Sequence, residues 1–288
     1  RVAARLGIGN GFGGWRALME RGDFDAVAIA TPPAAQPEIA LAALSLGKAV
    51  FCEKPLALSL AAARDMADAA RRAGVANMVD FIFPEIGAWR KAKAIIDDGG
   101  LGRLRHVTLD WHLETAANRT AVDSWKTRSA DGGGALGGFL PHSLYALEWF
   151  LGPIARISTA LFQAPDDHRS GDTFAHLSVA FASGLAASIS VGVTAFLGPG
   201  HRLQFYGNEG TLSLENGTAD YVKGFRLSHG TRPAGRLQAV SVNEDADDWE
   251  GDGRIVAASR IVGRFLDWME TDQEAAPSFQ DGLRVQYL

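Results

Sequence analysis

The sequence predicts an α/β half built on a parallel sheet, followed by an α+β half whose sheet is mostly antiparallel. Residues 25–81 alternate short apolar runs with helical stretches in the order strand, helix, strand, helix, strand, which parallel pairing with crossover helices requires. After residue 98 the rhythm changes to apolar–polar alternation broken by glycine and polar turns, the signature of antiparallel strands with one wet face. With 288 residues, 47% hydrophobic and 21% charged, the chain has enough apolar material for two units and is neither disordered nor a membrane bundle.

Residues 25–30 are an apolar run ended by Thr31-Pro32-Pro33, and a helix from about Gln36 to Leu46 follows, closed by Gly47. Ala49, Val50, Phe51 and Cys52 form the next strand, stopped at Glu53-Lys54-Pro55. Ser59 is placed to cap a helix running to Ala73, Gly74 to end it, and residues 77–81 to form a third strand. A helix over 86–98 completes this half, so the boundary is set at residue 101, with units 1–101 and 102–288. In the second unit Val107, Leu109, Trp111 and Leu113 alternate with His106, Thr108, Asp110, His112 and Glu114. Further strands are expected at 174–182, 185–194, 201–206 and 211–214, and an amphipathic helix at 254–269. The longest run without Asp, Glu, Lys or Arg, from Thr173 to Gly200, alternates rather than staying apolar, so it reads as strand and not as a membrane span.

A net charge of -5 provides no basic field for nucleic acid or anionic lipid. The single cysteine, Cys52, excludes an intrachain disulfide, so reduced cytoplasm is the expected compartment. Residues 1–7 read like the end of a helix with a glycine cap, and the last ten residues stop inside an apolar periodic stretch, so both ends read as cut. Gly9, Gly11 and Gly14 match G-x-G-x-x-G, but no apolar β-branched run precedes them, and a chance match in a loop is the better reading.

Two places carry chemistry. In open parallel sheets ligands bind at the carboxyl ends of strands, so Thr31-Pro32 and Glu53-Lys54 should line one crevice, where a fixed lysine could share in moving a hydroxyl proton. From spacing alone, an ordinary surface lysine in a turn is the commoner case. The second place follows Gly132-Gly133-Gly134: Pro141 opens a helix stopped by Gly152-Pro153, which puts His142 in its first turn, where the helix dipole disfavours imidazolium. Tyr145 and Trp149 share its face. A lone histidine is more often structural than catalytic.

Other signals read as surface features. His106, Asp110, His112 and Glu114 share a strand face with no cysteine or second cluster to complete a metal site, and no metal is expected. Residues 166–168 read as a loop, and 244–250 as a solvated acidic run. Trp125, Lys126 and Arg128 are equally readable as substrate contacts or as packing and surface groups. The Ala, Ser and Gly face of strands 174–194 is small enough for something to pack closely on it, which predicts a homo-oligomer through this sheet.

Ala28-Ile29-Ala30-Thr31-Pro32, the stretch 42–57 containing Cys52-Glu53-Lys54-Pro55-Leu56-Ala57, and the triple glycine before His142 resemble the Gfo/Idh/MocA oxidoreductases, the glucose-fructose oxidoreductase and inositol dehydrogenase family. The likeness extends through residues 101–107 and 277–283. It implies an incomplete Rossmann-type domain binding NAD or NADP, a C-terminal sheet domain, and reversible oxidation of a hydroxyl on a sugar, polyol or related small molecule. Carried over by position, it assigns cofactor contacts to Thr31, Pro32, Glu53 and Lys54, and catalysis to Lys54 and His142, with Tyr145 assisting. It also leaves two other outcomes open, NAD-dependent glycoside cleavage and a non-catalytic cofactor- or sugar-binding regulator. The family pattern Gly-Gly-Gly-x-x-x-Asp-x-Gly-x-His-x-x-Asp is kept in part: Gly138 stands at the first Asp, Leu140 at the Gly and Tyr145 at the second Asp. Pro33 stands where Asn is common, Gln36 where His is common, and Asp80-Phe81-Ile82 where Gly-Phe-Asn is frequent.

Overall fold

The computed structural model describes residues 7–242 and 251–288. The reading of 244–250 as a solvated acidic run, and that of 1–7 as a helix end up to its glycine cap, therefore lie outside the described residues. Residues 7–14 are an exposed loop, and a side chain added at Gly9 or Gly14 would meet nothing within 4 Å, so the glycine fingerprint cradles nothing there.

Helix α1 (Trp15–Arg21) leads into the parallel sheet, whose strands β1 (Ala26–Ile29), β2 (Ala49–Cys52) and β3 (Asn77–Val79) lie in that order. Ala26 pairs with Ala49 and Val50 with Asn77, so all three carboxyl ends fall on one edge. The crossovers are α2 (Gln36–Ser45) and α3 (Leu60–Ala73). Helix α3 is started by the Ser59 hydroxyl, which accepts from the Ala62 N–H at 3.2 Å, and ended by Gly74 at φ +62°. It buries Ala63, Met66, Ala67 and Ala70, the spacing of one helix face. Strand β3 stops at Val79, two residues earlier than the sequence predicts, because the Phe81 N–H folds back onto the Val79 carbonyl at 2.8 Å.

A short 3-10 turn (Phe83–Glu85) and α4 (Gly87–Asp97) lead to the second sheet. Its strands are β4 (Leu104–His112), β5 (Ile154–Phe162), β6 (Phe174–Phe181), β7 (Ala186–Gly192), β8 (Gly200–Gly207), β9 (Gly210–Asn216), β10 (Arg226–Thr231) and β11 (Gln238–Val240). They lie in the order β11-β10-β9-β8-β4-β7-β6-β5, and only β4 and β7 run parallel. Between β4 and β5 the chain forms α5 (Ala116–Arg119), two 3-10 turns, α6 (Gly134–Gly138) and α7 (Leu140–Leu151). After the sheet come α8 (Arg254–Thr271) and α9 (Phe279–Tyr287).

One face of this sheet is buried through Val107, Leu109, Trp111, Ile189, Leu203 and Phe205. The last helix packs back on α3 and β3 of the parallel-sheet half as well as on α7. The Phe279 N–H donates to Asn77 Oδ1 at 2.9 Å, and Gly282 lies so close that an added Cβ would stand 2.9 Å from Leu56 and 3.0 Å from Val79. No described helix is long and apolar enough to cross a membrane.

Candidate functional site

The carboxyl ends of the parallel strands present Thr31 after β1, Glu53 and Lys54 after β2, and Asp80 after β3. Backbone bonds fix them to one another, since the Glu53 N–H donates to the Ile29 carbonyl and the Asp80 N–H to the Cys52 carbonyl, each at 2.9 Å. Gln36, fully buried at the start of α2, ties the loops together: its amide donates to the Pro55 carbonyl at 2.6 Å and accepts from the Cys52 thiol at 3.4 Å. The Thr31 hydroxyl is buried without a hydrogen-bond partner, an expensive state that a ligand at this edge would relieve. Pro32 is exposed beside it.

The opposite wall comes from the glycine triplet and the helix behind it. Gly134 sits at φ +86°, and a side chain there would strike Asp172, whose carboxylate accepts from the Leu136 N–H at 2.8 Å and whose carbonyl accepts from the Ala135 N–H at 2.9 Å. The glycines thus let the loop close onto Asp172 and start α6, rather than cradle a phosphate. Pro141 lies in the first turn of α7 and Gly152 ends it, placing His142 in that turn as expected.

The two walls meet at Lys54. Its ammonium donates to the Gly138 carbonyl at 2.6 Å, four residues before His142, and its charge reaches the imidazole. His142 is buried among the rings of Phe83, Phe81 and Trp111, with centroids 5.0, 6.2 and 6.5 Å away, and its Nδ1 has no partner. Burial, then the Lys54 charge and His201, hold the imidazole well below its usual protonation range. The direction matches the neutral base expected from sequence, and desolvation is its leading cause.

Lys54 itself is pulled down to about 8, by burial first and by Lys126 in the same direction, against the opposing pull of Glu53 and Asp80. Asp80 is pushed up to about 7 by burial and Glu53, against Lys54 and Arg254, and its Oδ1 is buried without a partner.

Tyr145 stands one turn beyond His142 and stacks on Phe81 with centroids 4.5 Å apart, while Phe81 meets His142 edge-on. The charged groups acting on its hydroxyl are Asp281, Arg264 and Glu85, on the α8–α9 side, so it shares a ring with His142 but not the Lys54 environment. Trp149 lies further along, its ring against Phe150 and beneath Lys93.

Sequence reading missed Asp80, His201, Tyr221 and Arg254 as site residues. His201 faces Trp111 across paired strands with ring centroids 4.3 Å apart, and Tyr221 feels both Arg254 and Glu53 across the cleft. The one available signal was Asp80, an acid where the resembling pattern has glycine. Of the set-aside groups, Lys126 lies within electrostatic reach of Lys54, Arg128 pairs with Asp123 at 2.8 Å, and Asp167 pairs with Arg169 at 2.6 Å. His106 stacks on Tyr206, and among the described residues no three His, Cys, Asp or Glu side chains gather as a metal-binding group.

Comparison with known proteins gives a consistent result. Residues 1–81 match the family model described as oxidoreductase family, NAD-binding Rossmann fold, and residues 89–213 match the GFO/IDH/MocA C-terminal domain. An uncharacterized oxidoreductase of Synechocystis sp. is 30% identical over 286 residues, covering 94% of this chain and 76% of that protein. Levoglucosan dehydrogenase of Pseudarthrobacter phenanthrenivorans is 31% identical over 161 residues, which are 56% of this chain and only 41% of that enzyme. A levoglucosan dehydrogenase structure in complex with NADH and levoglucosan superposes with a TM-score of 0.86 at 24% identity, over 99% of this chain and 82% of that one, and so shares the fold.

Proposed function

The chain belongs to the GFO/IDH/MocA family of oxidoreductases with a NAD-binding Rossmann fold, and on that premise we propose that it moves hydride between a nicotinamide and the hydroxyl or carbonyl carbon of a sugar, polyol or related small molecule. The observation that carries this reading is the junction of the two walls, where the Lys54 ammonium is bonded to the Gly138 carbonyl and acts on His142. The sugar class draws support from the levoglucosan dehydrogenase likeness.

Thr31, Pro32, Glu53 and Lys54 would hold the nicotinamide end of NAD or NADP. The unpartnered Thr31 hydroxyl fits a group that supplies the missing hydrogen bond. When bound, the cofactor supplies hydride uptake or delivery. The chain's own residues handle the proton. Lys54 Nζ, released from the Gly138 carbonyl, takes the hydroxyl proton in oxidation or returns it in reduction. His142, kept neutral and with a free Nδ1, is the second acid/base group of the pair. Tyr145 assists by backing Phe81 against the imidazole. The aromatic lining of Phe81, Phe83 and Trp111 excludes water from the proton path.

The test is turnover of NAD(P) with sugars and polyols by Lys54→Ala and His142→Ala. Each is expected to lose about 10²- to 10⁴-fold in kcat, the usual worth of a positioned acid or base. Unchanged turnover in both would overturn the assignment. In the oxidative direction, activity should also rise with pH through the Lys54 transition at about 8, since only the neutral amine accepts a proton. A further part of the proposal is a homo-oligomer assembled through the eight-stranded sheet, working in the cytoplasm.

A further inference from the structure

Asp80 is the buried acid that the proposed chemistry leaves unused. Its N–H is fixed to the Cys52 carbonyl at 2.9 Å, which sets it beside the strand end carrying Lys54. Its Oδ1 is buried with no partner, and a polar atom kept in that state calls for an explanation. The charged groups facing it are Glu53 and Lys54 from the end of β2 and Arg254 from the start of α8. Those facing Lys54 are Glu53, Asp80 and Lys126. Among the described residues the ammonium makes no ion pair with either carboxylate and bonds to the neutral Gly138 carbonyl instead. On that side Gly138 offers no side chain, and an added Cβ would meet nothing within 4 Å. The strand side of the amine therefore carries an acid, and position 138 on the helix side carries open space.

We propose that Asp80 is the positioning residue that sets the charge state of Lys54, a carboxylate carried on the strand side of the amine while position 138 on the helix side is left open. An anion near an ammonium favours the charged form, so Asp80 works against the burial and the Lys126 charge that strip Lys54 of its proton. Burial raises the Asp80 carboxyl and lowers the Lys54 ammonium, so the two groups titrate toward one another and each responds to the charge of the other.

The functional meaning of this inference rests on the acid/base reading of Lys54, but the coupling itself is measurable without turnover. The chain has only six lysines, so the ¹³Cε resonance of Lys54 can be followed by NMR in lysine-labelled protein and assigned with Lys54→Arg. Lys54 is expected to titrate near 8 in the parent, and about one pH unit lower in Asp80→Asn. The value should return upward in Asp80→Asn/Gly138→Asp, with the pH limb of kcat/KM moving in the same sense. Asp80→Gly should reproduce the downward shift if Asp80→Asn fails to fold. A Lys54 titration that ignores both Asp80 substitutions overturns the proposal. A shifted titration in a protein that turns over no sugar supports it and counts against the redox reading alone; an unshifted one in an active enzyme does the reverse.

Discussion

His201 carries the clearest pH consequence of any single residue. It lies on β8, buried against Trp111 at an interplanar angle of 3°, with neither ring nitrogen hydrogen-bonded. Burial drops it to about 3, so the folded protein refuses a proton that the unfolded chain accepts at about 6.5. Its stabilising contribution is complete above about 6.5 and is lost as pH falls toward 3, at up to roughly 1.4 kcal/mol per pH unit. His142 acts in the same sense. Asp80 acts in the opposite one, because its folded value of about 7 lies above 3.8 and protonation favours the fold as pH drops between them. Comparing a variant with the parent cancels the Asp80 contribution. His201→Leu, similar in size and without nitrogens, should leave Tm nearly unchanged at pH 7 and flatten its decline between pH 6 and pH 4; parallel declines would refute the assignment. None of this was legible in the sequence, where His201 is only the first residue of an expected strand. His142 and Lys54 stood out by their places at a helix start and a strand end and by the motif around them, while Tyr221 and Arg254 reach the site from elements that packing alone brings together.

At the scale of elements, legibility followed punctuation. Strand β2 spans Ala49–Cys52 as read, and α3 runs from its Ser59 cap to Gly74, because those residues fix the ends by local chemistry. Strands β5, β10 and β11 were not anticipated. Most of β5 is exposed and β11 is a three-residue edge, so neither shows the half-buried alternation that marks a strand. The final helix α9 read only as an apolar periodic end, yet the Ser278–Asp281 capping box starts it and Phe279 is fully buried. Its Gly282 replaces side-chain volume with closeness to Leu56 and Val79. Gly282→Val should therefore destabilise the protein by about 1–3 kcal/mol through overpacking, visible as a lower urea midpoint. An unchanged midpoint would mean that α9 does not hold the position described.

At the scale of the whole molecule, the succession of a parallel and a mostly antiparallel sheet was legible, and the lock between them was not. Arg284 on α9 holds Glu148 on α7 at 2.7 Å, and Arg264 on α8 holds the buried Glu85 at 2.7 Å, so the late helices join both halves. Among the described residues, none of these helices covers the outer face of the large sheet. Across it run aligned small polar residues, Ser158, Ser178, Ser188 and Thr108, paired strand to strand. Phe162 at 53% and Phe196 at 76% exposure are also left open to solvent. This row of short side chains opposes little steric relief to an identical row, and a two-fold axis would set it against its own copy. The proposed self-association is therefore expected to bury this surface, and sedimentation velocity at micromolar concentration should show a species larger than one chain. Ser178→Arg puts a long cation in the middle of the face, where symmetry would bring it toward its copy. That variant should sediment as a monomer with unchanged circular dichroism. A parent that is already monomeric, or a variant that associates as before, would rule out the sheet as the joining surface.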